Sequence, residues 1–293
     1  MGTFVGHIVP GLALVLLGMW HMVNTINDYY LKGPAKFVFS FWYPFRSALF
    51  ALKHFELLSI LSFSIFAIFM QVMDYPFFQF SLKLDNFEHA TMFLHLAIFS
   101  GFTLCAELIH SSGTTSGVSG LLASSVFGQE LFLLHYHSAD HVGLEGHYHW
   151  LLQLIVFVSF ISSLSSTSFP SSFPAALCLG ISVVFQGCWF LNMGFMLWVP
   201  KLVPQGCIAD LGDYKSIHGA VTCLTHEAGS RAMALANMQF SWILAGIMIL
   251  VSGICLKHAM HFRPRGESTV YEQLNSTGAN VSVAIAGFKQ PSP

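Results

Sequence analysis

The sequence predicts an all-α integral membrane bundle of seven transmembrane helices, with its N-terminus outside or lumenal and its C-terminus cytosolic. Three observations predict it. Of 293 residues 54% are hydrophobic and only 9% are charged; a soluble domain carries roughly 25% charged residues, so this chain has too few to cover a water-facing surface. Its apolar residues gather into runs long enough, at about 18 residues or more, to cross a bilayer as helices. Lys and Arg fall unevenly between alternate connections, which sets a direction of insertion. A net charge of -2 implies no nucleic-acid partner, and six Cys without a CxxC pair give neither a disulfide framework nor a Cys-rich structural zinc site.

The first span runs from about Val5 to Ile26. It is apolar from the start, lacks the cationic opening of a secretory signal, and reads as a retained helix. A myristoylation signal on Gly2 is disfavoured, because Gly6 stands where Ser or Thr is needed. The second span covers about Ser47 to Val72 and the third about Glu88 to Ile109, which ends in uncharged SSGTTSG. The fourth is about Val118 to His137. The fifth, about His149 to Leu164, is short and gives way to SSTSFPSSFP, a Ser/Pro connector. The sixth runs from about Ala175 to Val199, closed by Pro200 and Pro204, and the seventh from about Ala232 to Leu256. Backbone groups in hydrocarbon must satisfy one another, so apolar runs of this length mean helices. Residues 1–262 form the transmembrane domain, and 263–293 read as a disordered polar cytosolic tail.

With the N-terminus outside, eight cationic residues face inward: Lys32, Lys36, Arg46, Lys53, Lys257, Arg263, Arg265 and Lys289. Four face outward: Lys83, Lys201, Lys215 and Arg231. The bias selects this orientation. It leaves the tail sequons at Asn275 and Asn280 in the cytosol, unglycosylated, and puts Cys207 and Cys223 on the oxidising side, where a disulfide and two free thiols are both open.

One stretch breaks the apolar pattern. ELFLLHYHSADHVGLEGHYHW, residues 130–150, holds five His and three acids. The topology explains the gathering. His7 starts the first span at the outer face and His89 the third; His137 closes the fourth there and His149 opens the fifth, with Asp140, His141, Glu145 and His147 in or beside the connector. Glu130 lies seven residues before His137, two turns down the same helix face and roughly 10 Å deeper. Glu56 falls near mid-depth of the second span. An intramembrane carboxylate is costly unless it faces the bundle interior beside a partner. Gln186 and Asn192 on the sixth span read as groups that bond between helices. His135, His141 and His147 read as solvated or anchoring, and Trp20, His21, His54, His110, His258 and His261 as structural residues toward the inner ends.

GH at 6–7 with PG at 10–11, NFEH at 86–89, QELFLLHYHSADHVGLEGHYHWLLQ at 129–153 and FQGCWFLNMGFMLWVP at 185–200 resemble the transmembrane protein 45 family over about residues 1–257. The resemblance is closest to its plant branch, which includes proteins described as tobacco mosaic virus response-related. It implies a seven-helix fold of poorly understood function, with animal members tied to the secretory pathway, and so an endomembrane or plasma-membrane location. The pattern of the animal branch lands on Glu130, His137, Glu145 and His149, with counterparts of His7, Glu56, His89 and Gln186. His135, His141 and His147 have none.

Neutral imidazoles from separate helices plus a carboxylate suit a divalent transition metal, zinc before others. The candidate ligands are His89, His137 and His149. Glu130 or Glu145 would be a fourth ligand or a general base on metal-bound water, with His7, Glu56 and Gln186 in support. Such a water could attack a lipid ester or amide at the headgroup level, which would make the chain a membrane hydrolase. A compact signature such as HExxH is absent from the sequence. The competing readings are a proton or cation transporter using Glu56, Glu130 and the outer His, a haem b protein with two axial His, and a non-catalytic adaptor or scaffold whose polar cluster locks the bundle. The expected surroundings are the lipid bilayer, with a lipid or small cation as ligand; the sequence sets no oligomeric state.

Overall fold

A computed structural model describes residues 3–45, 53–74, 79–80, 84–109, 114–137, 143–209 and 220–261. Among these residues seven helices are long and apolar enough to cross a membrane: α1 (Phe4–Lys32), α2 (Phe55–Val72), α3 (Leu84–Leu108), α4 (Thr114–His137), α5 (Gly143–Ser168), α6 (Phe173–Trp198) and α7 (His226–His261). Two small antiparallel ladders accompany them: β1 (Met73–Asp74) with β2 (Gln79–Phe80), and β3 (Cys207–Ala209) with β4 (Val221–Cys223). The chain is a multi-pass membrane protein. The tail after residue 261, with Asn275 and Asn280, lies outside the described residues.

Helices α2 to α6 pack side by side in chain order. α1 then runs the length of α6, and α7 lies against α5, α6 and α1. Glycine explains how closely α1 and α6 approach. Gly11 and Gly18 stand seven residues apart on α1, as do Gly180, Gly187 and Gly194 on α6. A Cβ at Gly187 would lie 2.5 Å from Val15 N and 2.7 Å from Gly11 O, and one at Gly18 would lie 2.6 Å from Val184 N. Backbone meets backbone here, the way small residues let helices associate where lipid removes the hydrophobic driving force.

The helix limits differ from the sequence expectation in an informative way. α1 continues through NDYYLK to Lys32 and stops at Gly33, whose φ of 76° with ψ of 164° is a backbone conformation that glycine adopts and residues with a Cβ rarely do. α2 begins at Phe55 rather than Ser47, so Glu56 sits in its first turn and not at mid-depth. α7 extends beyond both expected ends, from His226 to His261. The largest correction is α5, a full 26 residues where a short span was expected. Its polar start reads as loop, yet Leu144, Glu145, Tyr148, His149, Leu152, Ile155 and Val156 are buried at helical spacing. Its serine-rich end, from Ser165, reads as connector yet continues the helix to Ser168: Thr167 Oγ1 donates to Ser163 O at 2.8 Å, while the buried Ser166 hydroxyl has no partner among the described residues. Ser159 Oγ donates to Ile155 O at 3.1 Å and to Ser182 Oγ on α6 at 2.9 Å, and Ser163 Oγ pairs with Ser124 Oγ on α4 at 2.9 Å.

The core lies between α5, α6 and α7, around Tyr148, Leu152, Trp189 and Met193. Trp189 stacks on Tyr148 with ring centroids 5.2 Å apart and donates Nε1–H to the Tyr148 carbonyl at 3.0 Å. At the opposite end of the bundle from the α5 start, the segment 37–45 folds back under the helices. Phe37, Phe39, Trp42 and Tyr43 are buried, and Phe39 N donates to Pro170 O in the α5–α6 connection at 2.7 Å.

Candidate functional site

The N-terminus of α1 is built to hold one imidazole. Thr3 caps the helix, its Oγ1 accepting from Gly6 N at 3.0 Å. The Thr3 carbonyl lies 2.9 Å from His7 Nδ1. On α5 the Glu145 carbonyl lies 2.9 Å from His149 Nδ1, the same one-turn relation. A carbonyl only accepts, so in each neutral ring Nδ1 carries the hydrogen and Nε2 presents its lone pair. The two rings meet: their centroids are 6.2 Å apart and nearly perpendicular, and both side chains are buried. Trp198, the last residue of α6, lies over His7 at 4.5 Å. Gly194 admits this approach, since a Cβ there would stand 3.2 Å from His7 Cβ and 2.9 Å from Ile8 Cδ1.

The β3–β4 ladder before α7 packs beside the first turns of α5. Cys207 and Cys223 are bonded as a disulfide directly across the β3–β4 ladder. The buried Glu145 carboxylate accepts from Ala220 N at 2.7 Å, which ties the first turn of α5 to the chain entering β4. His147 Nε2 lies 2.8 Å from Asn237 Oδ1 on α7, and Tyr148 Oη donates to Gln239 Oε1 at 2.7 Å, which also accepts from Asn192 Nδ2 at 3.1 Å.

Residues 116–256 match the model of a family of unknown function, DUF716. The match begins near the start of α4 and ends near the end of α7. It includes Glu130, His137, Glu145, His149 and Gln186, and leaves His7, Glu56 and His89 outside.

The structure sorts the sequence-predicted residues by place. His7 and His149 come together at the end of the α1–α5–α6 seam where α1 begins. Glu130 on α4 accepts from Gln186 Nε2 on α6, deeper in the bundle. His137 is the last residue of α4; its side chain, with Asp140 and His141, lies outside the described residues. His89 stands in the second turn of α3, which packs on α2 and α4. Among the described residues no three of His, Cys, Asp and Glu form a group able to hold a metal.

Glu56 belongs to the other end of the molecule. Its buried carboxylate accepts from Trp20 Nε1 at 2.8 Å and Tyr43 N at 2.9 Å, and its other oxygen lies 2.7 Å from His21 Nε2. Tyr43 in turn shares a hydrogen bond with Thr25 Oγ1 at 3.0 Å, and burial pushes its phenol above the usual tyrosine range. The carboxylate thus ties α1, the 37–45 segment and α2 at one point. The sequence reads Trp20 and His21 as structural residues toward the inner end, and nothing in their spacing announces a partner 35 residues away. The one available signal was Glu56 itself, an acid in an apolar run that must find donors.

Proposed function

We propose that the paired imidazoles of His7 and His149 are the anchor of a divalent-metal site, zinc first, on the outer or lumenal face of a seven-helix membrane protein. The observation that carries this reading is the shared geometry of the two rings. Each is buried and each has Nδ1 held by a backbone carbonyl one turn earlier in its own helix; this is how proteins orient histidines toward a metal. Rings 6.2 Å apart leave room for one ion between two Nε2 atoms held about 2.0–2.1 Å from it. His137 and His89, carried toward the same end by α4 and α3, are the further ligands in this proposal, and a bound water would take an open position. Glu145 then acts by fixing the loop over the site, through Ala220, rather than as a ligand.

The outward orientation is part of the proposal. Two independent features support it: the excess of Lys and Arg in the connections that face inward, and the Cys207–Cys223 disulfide, which persists in an oxidising compartment. The sequence resemblance to the transmembrane protein 45 family supports an endomembrane or plasma-membrane location.

Elemental analysis of the detergent-purified protein tests the site. The expected result is one zinc per chain, lost in His7→Ala and in His149→Ala, with metal-free wild type melting higher when zinc is restored. Protein that carries no metal and whose melting ignores added zinc would refute it and leave the scaffold reading. A Soret band in the same sample would assign the imidazoles to haem instead.

A further inference from the structure

A second polar site lies deeper, between α4 and α6. Gln186 Nε2 donates to Glu130 Oε1, and the Gln186 side chain is 1% exposed. Its carbonyl, Oε1, is buried and has no hydrogen-bond partner among the described residues. An ionised carboxylate offers only acceptors and cannot serve that carbonyl. Nor do α3 to α6, among the described residues, supply a fixed cation to balance a charge at this depth. α4 packs on α3 and α5, Gln186 brings in α6, and the chain from residue 84 to residue 200 contains no Lys or Arg. The titratable neighbours are engaged elsewhere: His95 of α3 with Ser125 at 3.4 Å, His135 with Gln153 at 3.4 Å, His149 with the Glu145 carbonyl, and Glu145 with Ala220. Cys188, two residues from Gln186, is neutral as a thiol.

We propose that Glu130 and Gln186 form an intramembrane proton-binding site. The Glu130 carboxyl carries the bound proton and gives its O–H to Gln186 Oε1, while Gln186 Nε2–H stays on the second carboxyl oxygen. The resulting acid–amide pair has two hydrogen bonds, no net charge and no orphaned acceptor. Releasing the proton restores both the carboxylate charge and the unpaired carbonyl, so occupancy is coupled to the α4–α6 contact. The site lies on α4 seven residues, roughly 10 Å, inward of His137 at the helix end. It is distinct from the His7–His149 pair and stands whether or not that pair holds a metal.

Infrared spectroscopy of the full chain in lipid at neutral pH tests this directly. The expected spectrum has a protonated-carboxyl C=O band that disappears in Glu130→Gln, a change of one atom that preserves the shape and hydrogen-bonding capacity of the side chain. In Gln186→Met the band persists and moves to higher frequency, because the acid has lost its acceptor. That shift identifies the band even if Glu130→Gln fails to fold. A wild-type spectrum without an acid carbonyl at pH 7, or one unchanged by both substitutions, overturns the proposal. So does a rise in melting temperature in sodium over N-methylglucamine chloride that Glu130→Gln abolishes, since a metal cation would then neutralise the carboxylate.

Discussion

Replacing Gly187 by alanine places a methyl group 2.5 Å from the backbone nitrogen of Val15 and 2.7 Å from the Gly11 carbonyl. Ordinary carbon contacts begin near 3.5 Å, so α1 and α6 must separate by about 1 Å. Neither atom can rotate aside, because both belong to helix backbone. Overpacking of this kind costs about 1–3 kcal/mol, and a contact with immovable atoms falls at the upper end. Alanine returns roughly 1 kcal/mol through helix propensity, which leaves a net loss of about 2 kcal/mol. At about 2–4 °C per kcal/mol, the melting temperature of Gly187→Ala falls by roughly 4–8 °C. Gly18→Ala follows it closely, with its Cβ 2.6 Å from Val184 N, and Gly180→Ala is milder, 3.2 Å from Met22 Cα. The control is the same chemical change on α7. Gly246 and Gly253 have no atom within 4 Å of a built Cβ, so alanine there leaves stability level or raises it by about 0.5–1 kcal/mol. Thermal melts of the five variants in one detergent decide the matter. If Gly187→Ala and Gly246→Ala move in the same direction by the same amount, α1 and α6 are not in backbone contact and the helix order described here is wrong.

Three further outcomes follow from other parts of the structure. Glu56→Ala strands the donors of Trp20 and Tyr43 and the ring of His21, at a cost of about 3–5 kcal/mol; size-exclusion profiles then show loss of the folded species, Glu56→Gln sits between, and wild-type melting for both would show that the carboxylate ties nothing together. Denatured but unreduced protein exposes four titratable thiols, and reduction raises this to six; opening a loop of this size removes about 3 kcal/mol, so a reductant lowers wild-type melting and leaves Cys207→Ser/Cys223→Ser unaffected. In cells Asn275 and Asn280 stay unglycosylated, and a tag on the tail is reached by antibody once the plasma membrane alone is permeabilised; an endoglycosidase-sensitive mobility shift would reverse the orientation.

Helix number and order were legible because the membrane imposes a length and an apolarity that few other constraints blur. Helix ends were not, and the reason is the same in each case: a polar side chain at a helix end reads as loop until its partner is known. Glu145 looks like connector before the fifth span and is buried in the first turn of α5. Residues 165–168 look like the start of a linker and continue α5, with Thr167 bonded to the Ser163 carbonyl. Pairing was the second blind spot. The sequence places His7 and His149 at one face, but only the α1–α6 packing, set by glycines that carry no hydropathy signal, decides that these two rings meet. The same holds for Glu56, whose mid-depth position in the sequence reading depended on starting α2 eight residues too early.

α1 connects these observations. His7, Gly11, Gly18, Met22 and Thr25 are buried along it, and Gly11 and Gly18 press it to α6 by direct backbone contact. That contact holds His7 against His149 at one end. Fourteen residues on, about 21 Å along the helix, it holds His21 and Trp20 against Glu56 at the other. A polar centre at each end of one rigid helix is a coupled arrangement, since moving α1 by 1 Å disturbs both. Gly187→Ala therefore does more than destabilise. If the imidazole pair binds zinc, this variant loses metal affinity although it alters no ligand, whereas Glu130→Gln, on a different helix pair, keeps it. Metal binding that survives Gly187→Ala at full strength would mean that His7 is positioned by its own cap at Thr3 and not by the α1–α6 seam.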